Sequence, residues 1–422
     1  MDFYSVWPAL ACMTILLAFA SMLPAGSMDI APGARTRIST LDGLRGFLAF
    51  GVFFHHGAIY HRYILDGVWT LPPSSVFTLF GQVGVSIFFM ITGYLFWSRM
   101  ISECGQPNWK SFYVSRIFRI GPLYLVAVGV MLVVVFTSTG FEIKVPILRL
   151  FQDTFRWSLL GLIKGGDVNG YENPGRILAD VTWTLRYEWW FYLSLPLTAL
   201  ATRSSKAHLA TVAACLIACL IYLGLLSGRE KFALTAACIA LFLQGMCCAS
   251  LEKKGWTLRL PDWATSILVV ATLGVVFLFF GTAYRAGPVL CLGFVFYLII
   301  SGSSIFGLLV TRAARRLGDI SYGIYLLQGI VLYFVFSAGP IRTYAALSPE
   351  RHWSVILLCA LLLTGCAAIA HHYVELPGIR TGRSIAAFIG RYFNTKGVAV
   401  KIAFNIADGD KKTTATLRGE PH

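Results

Sequence analysis

Ten apolar stretches, each close to the ~20 residues that a helix needs to cross a lipid hydrocarbon core, constrain this chain more than any other feature. A segment in lipid must satisfy its own backbone polar groups, so such stretches fold as helices. They run near Leu44–Ile64, Val76–Trp97, Ile120–Phe136, Val181–Ala201, Leu209–Leu226, Ala233–Ser250, Trp263–Ala283, Pro288–Val310, Ile320–Ala338 and Trp353–Val374. With 422 residues, of which 57% are apolar and 13% charged, no large soluble domain is left over. The predicted class is all-α, a polytopic transmembrane helical bundle of ten core helices. Trp7–Leu23 supplies an extra N-terminal helix if it is inserted too.

Lysine and arginine in short loops set the orientation. With Arg35, Arg37 and Arg45 on the cytoplasmic side, the cytoplasmic loops and tail hold 23 of the 35 basic residues and the opposite loops 11. The core thus reads as having both termini in the cytoplasm. The net charge of +15 becomes a rim facing anionic lipid, with no basic stripe in a soluble segment to suggest nucleic acid. Residues 1–27 are an extra helix or a non-native start, because MDIAPGARTRIST from Met28 reads as a natural N-terminus. Residues 384–422 read as a cytoplasmic, partly disordered basic tail.

The longest loop spans about Gly140 to Asp180 on the non-cytoplasmic side. VPILRLFQDTFRWSLLGLI has the pattern of an interfacial amphipathic helix, and KGGDVNGYENPG is turn chemistry. The loop is either a surface connector or the cap of a sugar site using Trp157, Asp167, Tyr171 and Glu172. The ten cysteines show neither disulfide nor zinc spacing, and no metal site is expected.

Inside the first core span stand Arg45 and His56, in LDGLRGFLAFGVFFHH. Eleven residues return to within about 20° of the same helical face and advance about 16 Å, so the two share a stripe. Intramembrane ionisable groups are costly and mark pathways or sites. His55 lies about 100° away and is expected to bond elsewhere. Arg116 and Arg119, at i and i+3, can share a face and clamp a diphosphate; their bland reading is positive-inside charge. Glu188 and Arg186 are two apart and point to different faces, so each needs another partner.

These residues lie in segments that resemble the acyltransferase-3 family of multi-pass membrane enzymes. The basic residue, ten intervening residues and histidine of the first core helix are followed in family order by GVSIFFMITGYL, FYVSRIFRIGPLY, WTLRYEWWFYLSLP, LGDISYGIYLL and VELP. The likeness covers roughly residues 38–380, an acyltransferase-3-like membrane domain. It implies an acyl-CoA-dependent O-acyltransferase that moves an acyl group, often acetyl, from a cytoplasmic thioester to a cell-envelope or exopolysaccharide sugar. It also implies a bacterial inner-membrane location.

On that resemblance Arg45, Arg116 and Arg119 hold the nucleotide end of coenzyme A, a donor substrate and not a resident cofactor. His56 acts as base on the acceptor hydroxyl or as an acyl-carrying nucleophile. Glu188 orients His56 or bonds acceptor hydroxyls, while Arg186, Trp183 and Tyr187 bind a glycan or lipid-linked sugar. Trp183, Trp189, Trp190 and Tyr192 read equally as an interfacial aromatic belt. The chain departs from the family at Ser86, where an acidic residue is common, at Thr92, where serine is, and at Gln328, where histidine is frequent.

Two other classes are compatible with the residues. An intramembrane His, Arg and Glu could form the proton relay of a transporter, and the departures fit a catalytically inactive membrane assembly protein. HxxxxD at His61 and Asp66, and the trio His371, His372 and Glu375, are weaker signals read mainly as helix-end anchors.

Overall fold

The computed structural model describes residues 3–22, 39–204, 207–225 and 230–389. Met28, Arg35, Arg37 and the tail beyond residue 389 lie outside the described residues. Among the described residues the chain is all-helical, with fourteen α-helices, short 3₁₀ turns, one π turn and no strand. The helices are α1 Trp7–Met22, α2 Ser39–Asp66, α3 Ser75–Ser102, α4 Trp109–Ser138, α5 Ile147–Ser158, α6 Trp183–Thr198 and α7 Ala207–Leu225. They continue with α8 Glu230–Lys253, α9 Asp262–Phe279, α10 Ala286–Ile300, α11 Arg312–Asp319, α12 Ser321–Ser337, α13 Gly339–Ala346 and α14 Pro349–Ala370.

Among the described residues six helical stretches are long and apolar enough to cross a membrane, and α11 with α12, bent by 67°, adds a seventh if the pair forms one span. α1 and α10 are apolar but only 16 and 15 residues long, whereas α2 has the length, 28 residues, and carries ionisable groups. Two expected spans are shorter than the hydropathy implies. The Pro288–Val310 window stops as a helix at Ile300, where Ile305 and Phe306 adopt positive φ before a 3₁₀ turn. The Val181–Ala201 window becomes the 16-residue α6 followed by a 3₁₀ turn. In contrast, α4 begins well before its apolar window because Asn108 caps it, its side chain accepting from the Ser111 N–H at 3.0 Å. That early start makes the Arg116–Arg119 pair helical.

Apolar helices in lipid gain little hydrophobic drive toward one another, so close backbone approach decides their packing. α2 packs on α3 and α11, and α3 on α8. At the α2–α11 crossing a Cβ on Gly318 would collide with the Asp42 carbonyl, and one on Gly46 would lie 2.6 Å from Leu317 Cβ. Arg45 of α2 and Asp319 of α11 line one recess at this crossing.

The end of the long loop does not lie on the surface. After α5, the amphipathic helix expected from the sequence, a 3₁₀ turn at Pro174–Leu178 runs inward, burying Ile177, Leu178, Ala179 and Val181. It packs on α12 at Gly329, where a Cβ would collide with the Leu178–Ala179 peptide. Asn173, Ala179 and Asp180 all take left-handed φ near 50°, a strain of about 1–3 kcal/mol each that persists only where packing over-determines the backbone.

Candidate active site

Arg45 of α2 and Arg116 and Arg119 of α4 line the same two recesses. The polar recess, about 280 Å³, adds Ser115, Asp319 and Arg383. The other, about 160 Å³, is walled by Phe88, Thr92, Thr184, Glu188, Tyr192 and Tyr325 among others. The side chains are held in place: Arg45 lies 3.8 Å from Asp42, and Arg116 donates to Ser115 Oγ at 3.1 Å and sits 4.9 Å over the Phe96 ring. Tyr192 donates to Glu188 Oε2 at 3.2 Å. Four guanidiniums, those of Arg45, Arg116, Arg119 and Arg383, line one void, and their planar N–H forks have the geometry to match phosphate or carboxylate oxygens.

Further along the Arg45 stripe, His56 is buried among α2, α12 and the inward loop. Its Nδ1 lies 3.0 Å from the Val52 carbonyl and 3.2 Å from Gln328 Oε1, and the Ala179 backbone also meets the ring. The neighbouring His55 turns to α3 and donates from Nδ1 to the Phe77 carbonyl at 2.9 Å. Between His56 and the arginine recesses, Tyr325 donates to the Val181 carbonyl at 3.0 Å, and its hydroxyl lies 2.8 Å from Thr184 Oγ1.

A third cavity, about 480 Å³, lies under the long loop, lined by Trp157, Lys164, Asp167, Asp180, Trp183 and Arg186 among others. Trp157 donates its indole N–H to the Gly166 carbonyl at 2.9 Å, which fixes the ring against the loop. Burial pushes the Asp180 carboxyl above the usual carboxylate range, opposed by Arg176, by a hydrogen bond from Trp69 and by Lys164. Indole faces with mixed charges and carbonyls suit a polyhydroxylated ligand.

The first turns of α6 divide these spaces. Thr184, Leu185 and Glu188 face the arginine recess, whereas Thr182, Trp183 and Arg186 face the loop cavity. Arg186 and Glu188 therefore face separate spaces, as their spacing of two requires; Glu188 accepts from Tyr192, whereas Arg186 Nε is buried without a hydrogen-bond partner among the described residues.

The structure brings Arg45, Arg116, Arg119 and Glu188 together, and separately Arg186 and Trp183. It does not bring Glu188 to His56. Of the two roles expected for Glu188, orienting His56 or bonding acceptor hydroxyls, the first finds no contact: Glu188 lines the arginine recess, and Gln328 Oε1 stands beside the imidazole. Nor does Tyr187 join a substrate cavity; its hydroxyl lies 3.1 Å from Thr235 and it lines none of these three spaces. His56 itself lines none of them. Of the loop residues, Trp157 and Asp167 line the cavity, while Tyr171 and Glu172 do not. Thr92 faces the arginine recess, and Ser86 is buried with its hydroxyl unpartnered among the described residues. HxxxxD forms no dyad: Asp66 pairs with Arg62 at 3.2 Å, and His61 stacks on Phe3. His371 pairs with Glu375 at 3.2 Å within the π turn His371–Glu375.

Sequence reasoning missed Tyr325, Thr184 and the inward Ala179 segment. Only Gly329, a glycine within an apolar helix, hinted that another backbone comes close there.

The chain is 26% identical over 386 residues to a Bacillus subtilis (strain 168) protein provisionally named a peptidoglycan O-acetyltransferase, YrhL. That match covers 80% of this chain and 58% of the relative, so the chain spans little more than half of that protein's length. It is 24% identical over 375 residues to nodulation protein 10 of Rhizobium leguminosarum bv. viciae, covering 83% of this chain and 95% of that one. A provisionally named O-acetyltransferase of Staphylococcus aureus (strain COL) is 30% identical over 169 residues, 38% of this chain and 24% of the relative. No solved structure gives a significant match. Residues 38–371 match the acyltransferase domain of the acyltransferase-3 family, and the chain belongs to that family.

Proposed function

We propose that this protein is an integral membrane O-acyltransferase that takes an acetyl group from cytoplasmic acetyl-CoA and delivers it to a hydroxyl of a cell-envelope glycan or lipid-linked sugar. The observation that carries the reading is the convergence of Arg45, Arg116 and Arg119 on one void at the foot of the stripe that bears His56. The arginines would hold the donor phosphates, with the thioester arm reaching along the recess toward Tyr325. The acceptor would enter the loop cavity and stack on Trp183, beside Arg186.

Family membership and the relatives' names support the acyl chemistry, and the Bacillus relative makes a cell-wall glycan the first acceptor to test. In the reaction the acceptor oxygen attacks the thioester carbonyl while His56 takes its proton. A new C–O bond forms, the C–S bond breaks, and the proton passes from His56 to the departing thiolate. The two cavities share no lining residue, so Tyr325, Thr184 and the Ala179 segment must yield for donor and acceptor to meet at His56.

The reading extends to the whole chain: ten core spans with both core termini in the cytoplasm of a bacterial inner membrane, an additional N-terminal helix, and a basic cytoplasmic tail. Transfer of label from acetyl-CoA to total glycan, in membranes carrying wild type, His56→Ala or His55→Ala, tests it. Loss of transfer in the His56 variant alone is expected. Transfer that survives His56→Ala overturns the assignment of the base, and its absence from wild type overturns the activity.

A further inference from the structure

His56 can work as a base only if the nitrogen that meets the acceptor carries a lone pair, and the hydrogen bonds around it determine which nitrogen that is. Gln328 of α12 is fully buried. Its amide nitrogen lies 2.7 Å from the Tyr325 carbonyl. A carbonyl only accepts, so the NH₂ group must face Tyr325 and the amide oxygen must face away from it. That oxygen is the atom 3.2 Å from His56 Nδ1. The other neighbour of Nδ1, the Val52 carbonyl at 3.0 Å, also only accepts. Two acceptors on one ring nitrogen favour its carrying the hydrogen over the single contact that the Ala179 backbone makes with the ring.

We propose that Gln328 is a positioning residue that holds neutral His56 in the Nδ1–H form, leaving the Nε2 lone pair as the atom that takes the acceptor proton. The proposal deepens the acyl-transfer reading and rests on it for its consequence in rate. Its geometric content, the state of the imidazole, stands independently of activity. Gln328 also ties the base to the donor recess. The carbonyl that orients it belongs to Tyr325, whose hydroxyl joins Thr184 and Val181 at the end of that recess. A donor arm that displaces Tyr325 would therefore be felt at His56 through a single helical turn of α12. His55, the titratable neighbour with its ring centroid 5.0 Å away, is occupied by the Phe77 carbonyl and leaves this network to Gln328.

The experiment uses full-length protein in detergent micelles, labelled with ¹⁵N-histidine and assigned by the signals lost in His56→Gln. Acetyl transfer is measured in parallel in membranes. Wild type is expected to show a protonated Nδ1 and a bare Nε2 for His56. In Gln328→Met, which keeps length but removes the acceptor, the two forms should mix, and kcat should fall about ten-fold, the worth of one buried hydrogen bond, with both KM values unchanged. In Gln328→Glu, the buried neutral carboxyl would donate to Tyr325 and accept from Nδ1, restoring the wild-type signature and rate. A protonated Nε2 in wild type overturns the proposal even if the variants fail to fold. So does a Gln328→Met protein with unchanged spectrum and kcat, while wild-type transfer still upholds the reaction. Wild-type membranes without transfer refute the reaction, and the ¹⁵N spectrum alone then decides the tautomer.

Discussion

Replacing Arg119 by methionine tests the proposed donor site more cleanly than replacing either Arg45 or Arg116. Arg116 also packs over Phe96 and bonds Ser115, and Arg45 lies beside Asp42, so their loss would disturb the helices as well. Arg119 is half-buried and lines both recesses. A hydrogen bond from a charged donor contributes about 1.5–3 kcal/mol, and each 1.4 kcal/mol is about ten-fold in affinity. Because the recess opens to solvent and three other arginines share the load, the lower part of that range applies. We expect KM for acetyl-CoA to rise roughly ten-fold with kcat nearly constant, the pattern of an interaction made equally in ground and transition states. Initial rates over a donor series measure it, and the dephospho-CoA thioester shows whether Arg119 and the 3′-phosphate share one contact. Arg99→Met is the control, since Arg99, half-buried over the Phe112 ring and paired with Glu103 at 2.9 Å, lies outside both recesses. A fall in kcat at constant donor KM, or the same KM rise in the Arg99 variant, would refute the assignment.

At the other cavity, Trp183→Ala should raise KM for the glycan and leave that for acetyl-CoA unchanged; steady-state kinetics with each substrate varied decides it. Gly329→Ala should lower Tm in detergent, equivalent to about 1–3 kcal/mol, because the new Cβ meets the Leu178–Ala179 peptide. A wild-type Tm there would mean that the inward loop is not packed as described. Asp180 binds its proton more tightly in the folded protein than in the unfolded chain, since burial raises its pKa against Arg176, Trp69 and Lys164. Stability from this group is therefore present at low pH and lost as pH rises from the ordinary carboxylate range through the raised value. Asp180→Asn should flatten that part of the Tm–pH curve, and an unchanged slope counts against it.

Much of the candidate site could be read in one dimension because its parts are local. The RxxR spacing, the shared stripe of Arg45 and His56, and the divergence of Arg186 from Glu188 all follow from 100° per residue. The amphipathic α5 was legible for the same reason. Glu188 shows the limit: its helical face was predictable, but whether that face looked toward the imidazole or the arginines depended on how α6 packs against α4. Helix ends misled where irregular backbone stays apolar, as at Ser301–Val310, since hydropathy does not register a turn made of isoleucine, phenylalanine and leucine.

By itself the sequence determined an all-helical membrane chain, its family and the residue types available for acyl transfer. Hydrophobic length, loop charge and motif spacing are properties of neighbouring residues and survive without knowledge of packing. Only the tertiary structure decided that α6 separates an arginine recess from a loop cavity, that a strained segment dips to the Ala179–Gly329 contact, and that Gln328 faces His56 across 272 positions of chain. Those outcomes depend on which glycines let which backbones approach, a matter of close packing between distant segments that no local period encodes.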